Sequence, residues 1–441
     1  MTGGSEAWAR IPVLTAASVA LLLVLAGCGG AGSHESASPA SPSPSSAAAG
    51  AHEKFQPAPA DFREIKTLLA RQARALLHHD RAAFLATVDH EQPALLKQQR
   101  TLYDNITQLP LASLSYGVDT SGALVPADVP GDDPLLHPTV VEHLQLVGTF
   151  DRPVSNPVDE TFVRRHGRWL LGSESEAKEA DHFDTPQERP WFGVPIVAEH
   201  VGPMTVLVDR SQADNLAGLT TAVQDDIAYD AQLLGVPASS KILVDATTNG
   251  LSLNFSSLSQ EEAAAVTFGV TSTDALGEES TGLAGHVIKV NPHTVDQVVN
   301  DEGIMRHELT HYLLESYNGY LPKWLSEGVA AWVQYYPDDF SRWQVPADLY
   351  DRLMRADHTL PILGLFNEDP SLNYPISQAA VSWLVAHYGV AKLLDLMRAY
   401  RTHYTDANVD ALTPKLLRQV YGVTPAEVTD GAWALLAQFA H

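Results

Sequence analysis

The sequence predicts a fold of the α+β class, in which helices and strands occupy separate stretches of the chain. Apolar residues first recur at helical spacing, from Phe62 to Leu77. Alternating strand patterns follow, from Leu114 to Leu171. Helices first and antiparallel strands next is the order typical of an α+β arrangement. At 441 residues the chain is long enough for two or three domains, and its last third again reads as helical.

Residues 1–28 have the composition of a signal peptide. Arg10 is the only positive charge, and an uncharged apolar run from Ile11 to Ala26 leads to Leu-Ala-Gly-Cys28. This ending resembles the lipobox of bacterial lipoproteins, in which the Cys carries lipid and becomes the mature amino terminus. The resemblance implies an extracytoplasmic protein held at the membrane through Cys28. The alternative is an ordinary secretory signal or a short anchor, although the run falls short of the roughly 20 residues that span a bilayer.

Cys28 is the only cysteine in the chain, so an intramolecular disulfide is excluded. Residues 29–60, which follow it, consist mainly of Ser, Ala, Pro and Gly. Such a segment cannot bury enough apolar surface to offset its ordering entropy. We therefore expect residues 29–60 to be a disordered tether.

A first domain is predicted over residues 61–180, beginning with three helices. The first has Asp61 as its N-cap, with Glu64 three residues later. The second begins at Asp80, and the third runs from Pro93 toward Leu109.

Strands complete this first domain, over Leu114–Val118, Val140–Phe150, Glu160–Arg165 and Arg168–Leu171. The last two form a hairpin that turns at His166 and Gly167. With the preceding helices, the hairpin is similar to the nuclear transport factor two-like fold. The resemblance implies a cone-shaped antiparallel sheet wrapped around a long helix. Because that fold hosts enzymes, binding pockets and spacers alike, no function follows from it.

Residues 190–441 form the second predicted domain, after a turn-rich boundary. Strands are expected at Met204–Val208, Ile242–Val244 and Gly285–Val290. The first two flank a helix whose buried stripe includes Leu219 and Val223.

The segment from residue 304 to residue 333 combines the side chains of a metal site. His307 and His311 are four residues apart, so on a helix both imidazoles project from one face. Glu308 lies beside the first of them, where its carboxylate can reach a water held by the metal without being a ligand. After a break at Gly319, Glu327 on a second helix is placed to return as a third ligand. Three protein ligands leave a fourth position open, as catalytic zinc sites do.

Residues 307–311, together with Trp324–Ala330, are similar to the gluzincin metallopeptidases. In that family an H-E-x-x-H motif is joined by a Glu on the next helix. The resemblance implies Zn²⁺ held by the two histidines and Glu327, with Glu308 as general base, in a zincin-like domain with a mixed sheet.

Two departures from the family limit what the resemblance implies. The chain lacks the G-x-M-E-N segment with which aminopeptidase N holds a free amino terminus, which disfavours an exopeptidase. Four residues beyond Glu327 stands Ala331, where thermolysin-like enzymes have an Asp, so the group that orients His307 is left open.

In zincins generally, an edge strand of the sheet pairs with an extended substrate. The strand Gly285–Val290 is either that edge strand or an interior strand that does not contact the substrate.

The C-terminal stretch predicts a helical lobe that closes the other wall of a cleft, with helices at Ala379–Tyr388, Val390–Tyr400 and around Leu416 and Trp433. Tyr374 precedes a predicted helix start at Ser377. By resemblance to related lipoprotein-type peptidases, its phenol would stabilise the oxyanion. The alternative is packing beside Leu372.

Two functions from different classes follow. The first is a membrane-anchored, extracytoplasmic zinc endopeptidase acting on peptide or protein substrates. The second is a non-catalytic surface lipoprotein that binds a ligand and keeps the zincin fold as a scaffold. Glu308 favours the enzyme, since a scaffold needs metal ligands but no base.

The net charge of −25 argues against binding to nucleic acid and against electrostatic adhesion to an anionic membrane. The sequence predicts no oligomeric state.

Overall fold

The computed structural model describes residues 57–119, 134–176, 189–249, 264–277, 279–300, 302–338, 347–362, 366, 369–404 and 409–439. The predicted signal peptide, Cys28 and most of the predicted tether lie outside these ranges. The described residues form helices and two sheets, which confirms the α+β class. Within the same ranges, no helix combines the length and the apolarity needed to cross a bilayer.

Three helices open the first region: α1 (Pro59–Leu77), α2 (Arg81–Leu85) and α3 (Pro93–Ile106). The prediction of Asp61 as N-cap is wrong. Helix α1 begins three residues earlier than predicted because Pro59 suits a first helical turn, and Ala58 is the N-cap. The Asp61 carboxylate instead accepts the backbone N–H of Ala58 at 2.8 Å. Asp80 is confirmed as the N-cap of α2.

The first sheet is antiparallel and contains β1 (Leu111–Asp119), β2 (Leu135–Leu136), β3 (Thr139–Leu146), β4 (Val154–Arg165) and β5 (Arg168–Glu176). Strand β4 pairs with β3, β2 and β5. The predicted turn at His166 and Gly167 is confirmed, and both residues have positive φ, 50° and 78°. Strand β3 ends at Leu146, four residues before the prediction, because the chain turns at Gly148 with φ of 76°.

The second sheet is mixed and contains β6 (Ile196–Val201), β7 (Met204–Asp209), β8 (Ile242–Ala246), β9 (Ala265–Thr273) and β10 (Ser280–Val290). Its order is β6-β7-β8-β10-β9, with β8 parallel to both of its neighbours. Of the two alternatives for Gly285–Val290, the interior strand is confirmed, since β10 lies between β8 and β9. The edges are β6 and β9, and the sequence patterns identified neither strand. Helix α4 (Leu216–Leu234) connects β7 to β8, as predicted.

Helices make up the rest of the described chain: α5 (Val295–Asn300), α6 (Glu302–Leu313), α7 (Glu315–Asn318), α8 (Lys323–Tyr335), α9 (Ala347–Leu353), α10 (Pro370–Tyr388), α11 (Val390–His403), α12 (Thr413–Tyr421) and α13 (Pro425–Leu436). Helix α10 starts at Pro370, not at the predicted Ser377, because a proline at the first position suits a helix start. Helices α8 and α10 approach closely, since a Cβ on Gly328 would lie 2.5 Å from the Ser377 carbonyl oxygen.

The two regions share a hydrophobic core. Helices α1, α2 and α3 contribute buried side chains to the same cluster as strands of the second sheet. Its members include Leu76, Phe84, Ile106, Leu207, Leu243 and Val287. Burying a side chain of this size contributes about 1.5–3 kcal/mol, so the contact between the regions stabilises both.

Candidate metal centre

Three side chains meet between α6 and α8, and we call them the metal triad: His307, His311 and Glu327. Nε2 of His307 lies 3.3 Å from Nε2 of His311. Each of these nitrogens lies 3.4 Å from Oε2 of Glu327. The structure therefore brings together the three metal ligands that the sequence predicts, on the two predicted helices.

The triad has the dimensions of three corners of a zinc tetrahedron. Zinc binds imidazole nitrogen and carboxylate oxygen at about 2.0–2.2 Å, which places tetrahedral ligand atoms about 3.3–3.6 Å apart. Glu327 is 1% exposed, yet its Oε2 has no hydrogen-bond partner among the described residues. A buried acceptor without a donor is costly unless a cation takes the donor's place. The residues present therefore fit Zn²⁺.

Gln334 orients the first histidine. Nδ1 of His307 lies 3.1 Å from Oε1 of Gln334, and both side chains are buried. An N–H at Nδ1 that donates to this amide oxygen leaves the lone pair of Nε2 directed at the triad. Gln334 is thus the group that orients His307, a role for which the sequence offered no Asp at Ala331. Sequence reasoning missed Gln334, although it lies seven residues beyond Glu327 and so on the same face of α8.

Glu308 is fully buried beside the triad, with one oxygen held and one free. Its Oε2 accepts the Thr267 hydroxyl at 2.8 Å, and Thr267 lies on the edge strand β9. Its Oε1 is buried without a hydrogen-bond partner among the described residues. The carboxylate is thus fixed in orientation while keeping an acceptor available for a proton.

Lys323 contacts the third ligand from the opposite side. Its Nζ lies 2.6 Å from Oε1 of Glu327, one helical turn away on α8. Sequence reasoning missed this residue too, although four-residue spacing on a helix is the signal for such a pair.

The charges of the site favour an ionised carboxylate among the imidazoles. Burial alone would raise the pKa of Glu327, but the positive charges of Lys323 and His311 hold that pKa well below its usual range. Burial lowers the pKa of His311, but the charge and hydrogen bond of Glu327 and the charge of Glu308 together outweigh burial, so the net shift of that pKa is upward. Glu327 therefore draws positive charge to the triad, whether a proton or a metal ion.

Tyr374 lies next to the triad, within α10. Its ring centroid is 6.2 Å from that of His307 and 5.0 Å from that of Phe366, and the residue is 7% exposed. The ring thus packs in the core and also borders the metal site.

Comparisons of the chain with protein-family models, with curated proteins and with solved structures find no match. The metal centre therefore rests on its own residues and distances.

Proposed function

We propose that this protein is a zinc-dependent endopeptidase, anchored through Cys28 to the extracytoplasmic face of a bacterial membrane. One observation carries the proposal. A triangle of two imidazole nitrogens and a carboxylate oxygen with zinc-like spacing lies beside a buried carboxylate that keeps one oxygen free. Ligands for a metal would suffice for a scaffold. A positioned base beside them is what hydrolysis requires.

Zn²⁺, when bound, supplies a Lewis acid that lowers the pKa of its bound water to about 7 and polarises a peptide carbonyl. Glu308 accepts the proton of the attacking water at Oε1 and later passes it to the leaving amine. Thr267 holds the other oxygen, so the base does not need to reorient between the two transfers. Gln334 keeps His307 in the tautomer that can act as a ligand.

Strand β9 supplies a surface for an extended substrate. It lies at the edge of the second sheet, and its Thr267 contacts Glu308 directly. An extended peptide that pairs with β9 would run past the metal triad, which is a β-augmentation mode of recognition. Pairing along the backbone does not need a free terminus, and this supports an endopeptidase rather than an exopeptidase.

Glu308→Gln tests the proposal, because the amide keeps the shape of the side chain and removes the base. We expect hydrolysis of casein or of a quenched peptide library to fall by about a hundredfold to ten-thousandfold. Bound zinc, measured by elemental analysis, should stay at one per chain. The parent should lose activity to a chelator and regain it with zinc.

Glu315→Gln is the matched control, since it makes the same change on the neighbouring helix α7 at a half-exposed side chain. Its activity should equal that of the parent. A Glu308→Gln variant as fast as the parent would show that Glu308 is not the base. A zinc-loaded parent that cleaves no peptide would refute the peptidase function.

A further inference from the structure

The two oxygens of Glu327 have different neighbours, and Lys323 makes the difference. Oε2 points to the two imidazoles at 3.4 Å. Oε1 contacts the Lys323 ammonium at 2.6 Å. A charge-assisted contact of this length fixes the rotation of the carboxylate about its last bond. Only one oxygen is then presented to an ion at the triad.

The stability of α8 does not explain why a lysine occupies this position. Lys323 is the first residue of the helix, where the positive end of the dipole disfavours a cation. A lysine that precedes its glutamate by four residues is also the less favourable order for a helical ion pair. Its side chain is 17% exposed, with the ring of Phe366 centred 5.9 Å from Nζ. Lys323 thus lies where the helix disfavours a positive charge, in contact with a residue of the metal triad. Its position is better explained by a role at the metal site than by the stability of α8.

We propose that Lys323 is a positioning residue that makes Glu327 a one-oxygen ligand. A carboxylate can bind a metal ion through one oxygen or through both. With both oxygens bound, the position that a catalytic zinc site keeps open for water would be filled or crowded. Lys323 occupies the second oxygen and also offsets the charge of the carboxylate. The inference rests on the proposed zinc site and names the residue that keeps its fourth position free.

The test replaces Lys323 by Met, which keeps an unbranched chain and removes the charge, and by Arg, which keeps the charge. Each full-length protein is loaded with Co²⁺ in place of zinc, and its visible absorption spectrum is recorded. The parent should show the strong bands of four-coordinate cobalt. Lys323→Met should show the weaker bands of five-coordinate cobalt. Lys323→Arg should show the same spectrum as the parent.

Peptide hydrolysis supplies a second measurement. Lys323→Met should lower kcat by about tenfold to a hundredfold, the usual range for groups that orient a ligand, and leave KM within about twofold. Lys392→Met is the control, because Lys392 forms an exposed pair with Asp395 on α11. It should match the parent in both measurements.

A folded Lys323→Met variant with the cobalt spectrum and kcat of the parent overturns the inference. Weak five-coordinate bands in the parent overturn it as well, and leave the zinc site standing. A parent that binds no cobalt overturns the metal site, and the inference with it.

Discussion

Two of the buried clusters of charged side chains among the described residues are built in opposite ways. In the first region Arg189 donates to both oxygens of Glu142, at 3.2 and 3.0 Å, and to Glu174 at 2.7 Å. Trp191 donates to Glu142 and Gln99 donates to Glu174. We call these five residues the arginine cluster. Each of its contacts joins a donor to an acceptor.

The metal triad instead brings acceptors together. Two imidazole nitrogens and a carboxylate oxygen lie within 3.4 Å of one another, and the oxygen has no hydrogen-bond partner within the described ranges of the chain. Lone pairs that converge in a buried space repel unless a proton or a metal ion lies between them. The comparison shows that burial and charge alone do not indicate function. What separates the two clusters is whether donors meet acceptors or several acceptor atoms converge on one point.

Removing the central donor of the arginine cluster should have the largest effect on stability. Arg189→Met leaves Glu142 and Glu174 buried without their cation, which typically costs about 3–5 kcal/mol. Urea unfolding should show this loss in the free energy of unfolding. Zinc content should stay at one per chain, because the metal triad has its own residues. Arg100→Met, an exposed change on α3, should stay within about 0.5 kcal/mol of the parent.

Should Arg189→Met lose zinc while keeping its stability, the division between the two clusters would be wrong. The mutation would then act on the metal triad, for which the structure shows no direct contact among the described residues.

The sequence predicted the metal triad and missed the arginine cluster because the two differ in range. His307 and His311 share one helix turn, and Glu327 follows on the next long helix. The arginine cluster joins α3, β3, β5 and the segment after the first sheet, and only the pairing of strands brings these together. A single Glu on a predicted strand looks like a solvent-facing residue. The choice between an edge and an interior position for β10 was left open for the same reason, since strand order is a long-range property.

Replacing the residue that orients His307 should have a smaller effect, confined to the metal. Gln334→Leu removes the acceptor of Nδ1, so the tautomer is no longer fixed. Zinc affinity, measured by competition with a chelator, should fall about tenfold to a hundredfold. The metal-free variant should unfold close to the parent. Gln419→Leu, an exposed change on α12, is the control and should bind zinc as the parent does. Unchanged affinity in Gln334→Leu would remove Gln334 from the site.

The smallest effect is expected at Glu160, a buried neighbour of the arginine cluster whose Oε2 has no hydrogen bond among the described residues. Burial, reinforced by the nearby Glu174, raises its pKa well above 4.5, even though Arg189 opposes the shift. The folded state thus holds this proton more tightly than the unfolded chain. That contribution to stability is complete below about pH 4.5 and is lost as the pH rises through the folded pKa.

Glu160→Gln mimics the protonated form and cannot ionise. At pH 5 its free energy of unfolding should lie within about 1 kcal/mol of the parent's, because an amide replaces a neutral carboxyl of the same size. With rising pH the parent loses stability from this group and the variant does not, so the difference should shift in favour of the variant. Urea unfolding at pH 5 and pH 8 measures the shift. An identical difference at both pH values would mean that Glu160 is ionised throughout, and that a third negative charge lies at the arginine cluster.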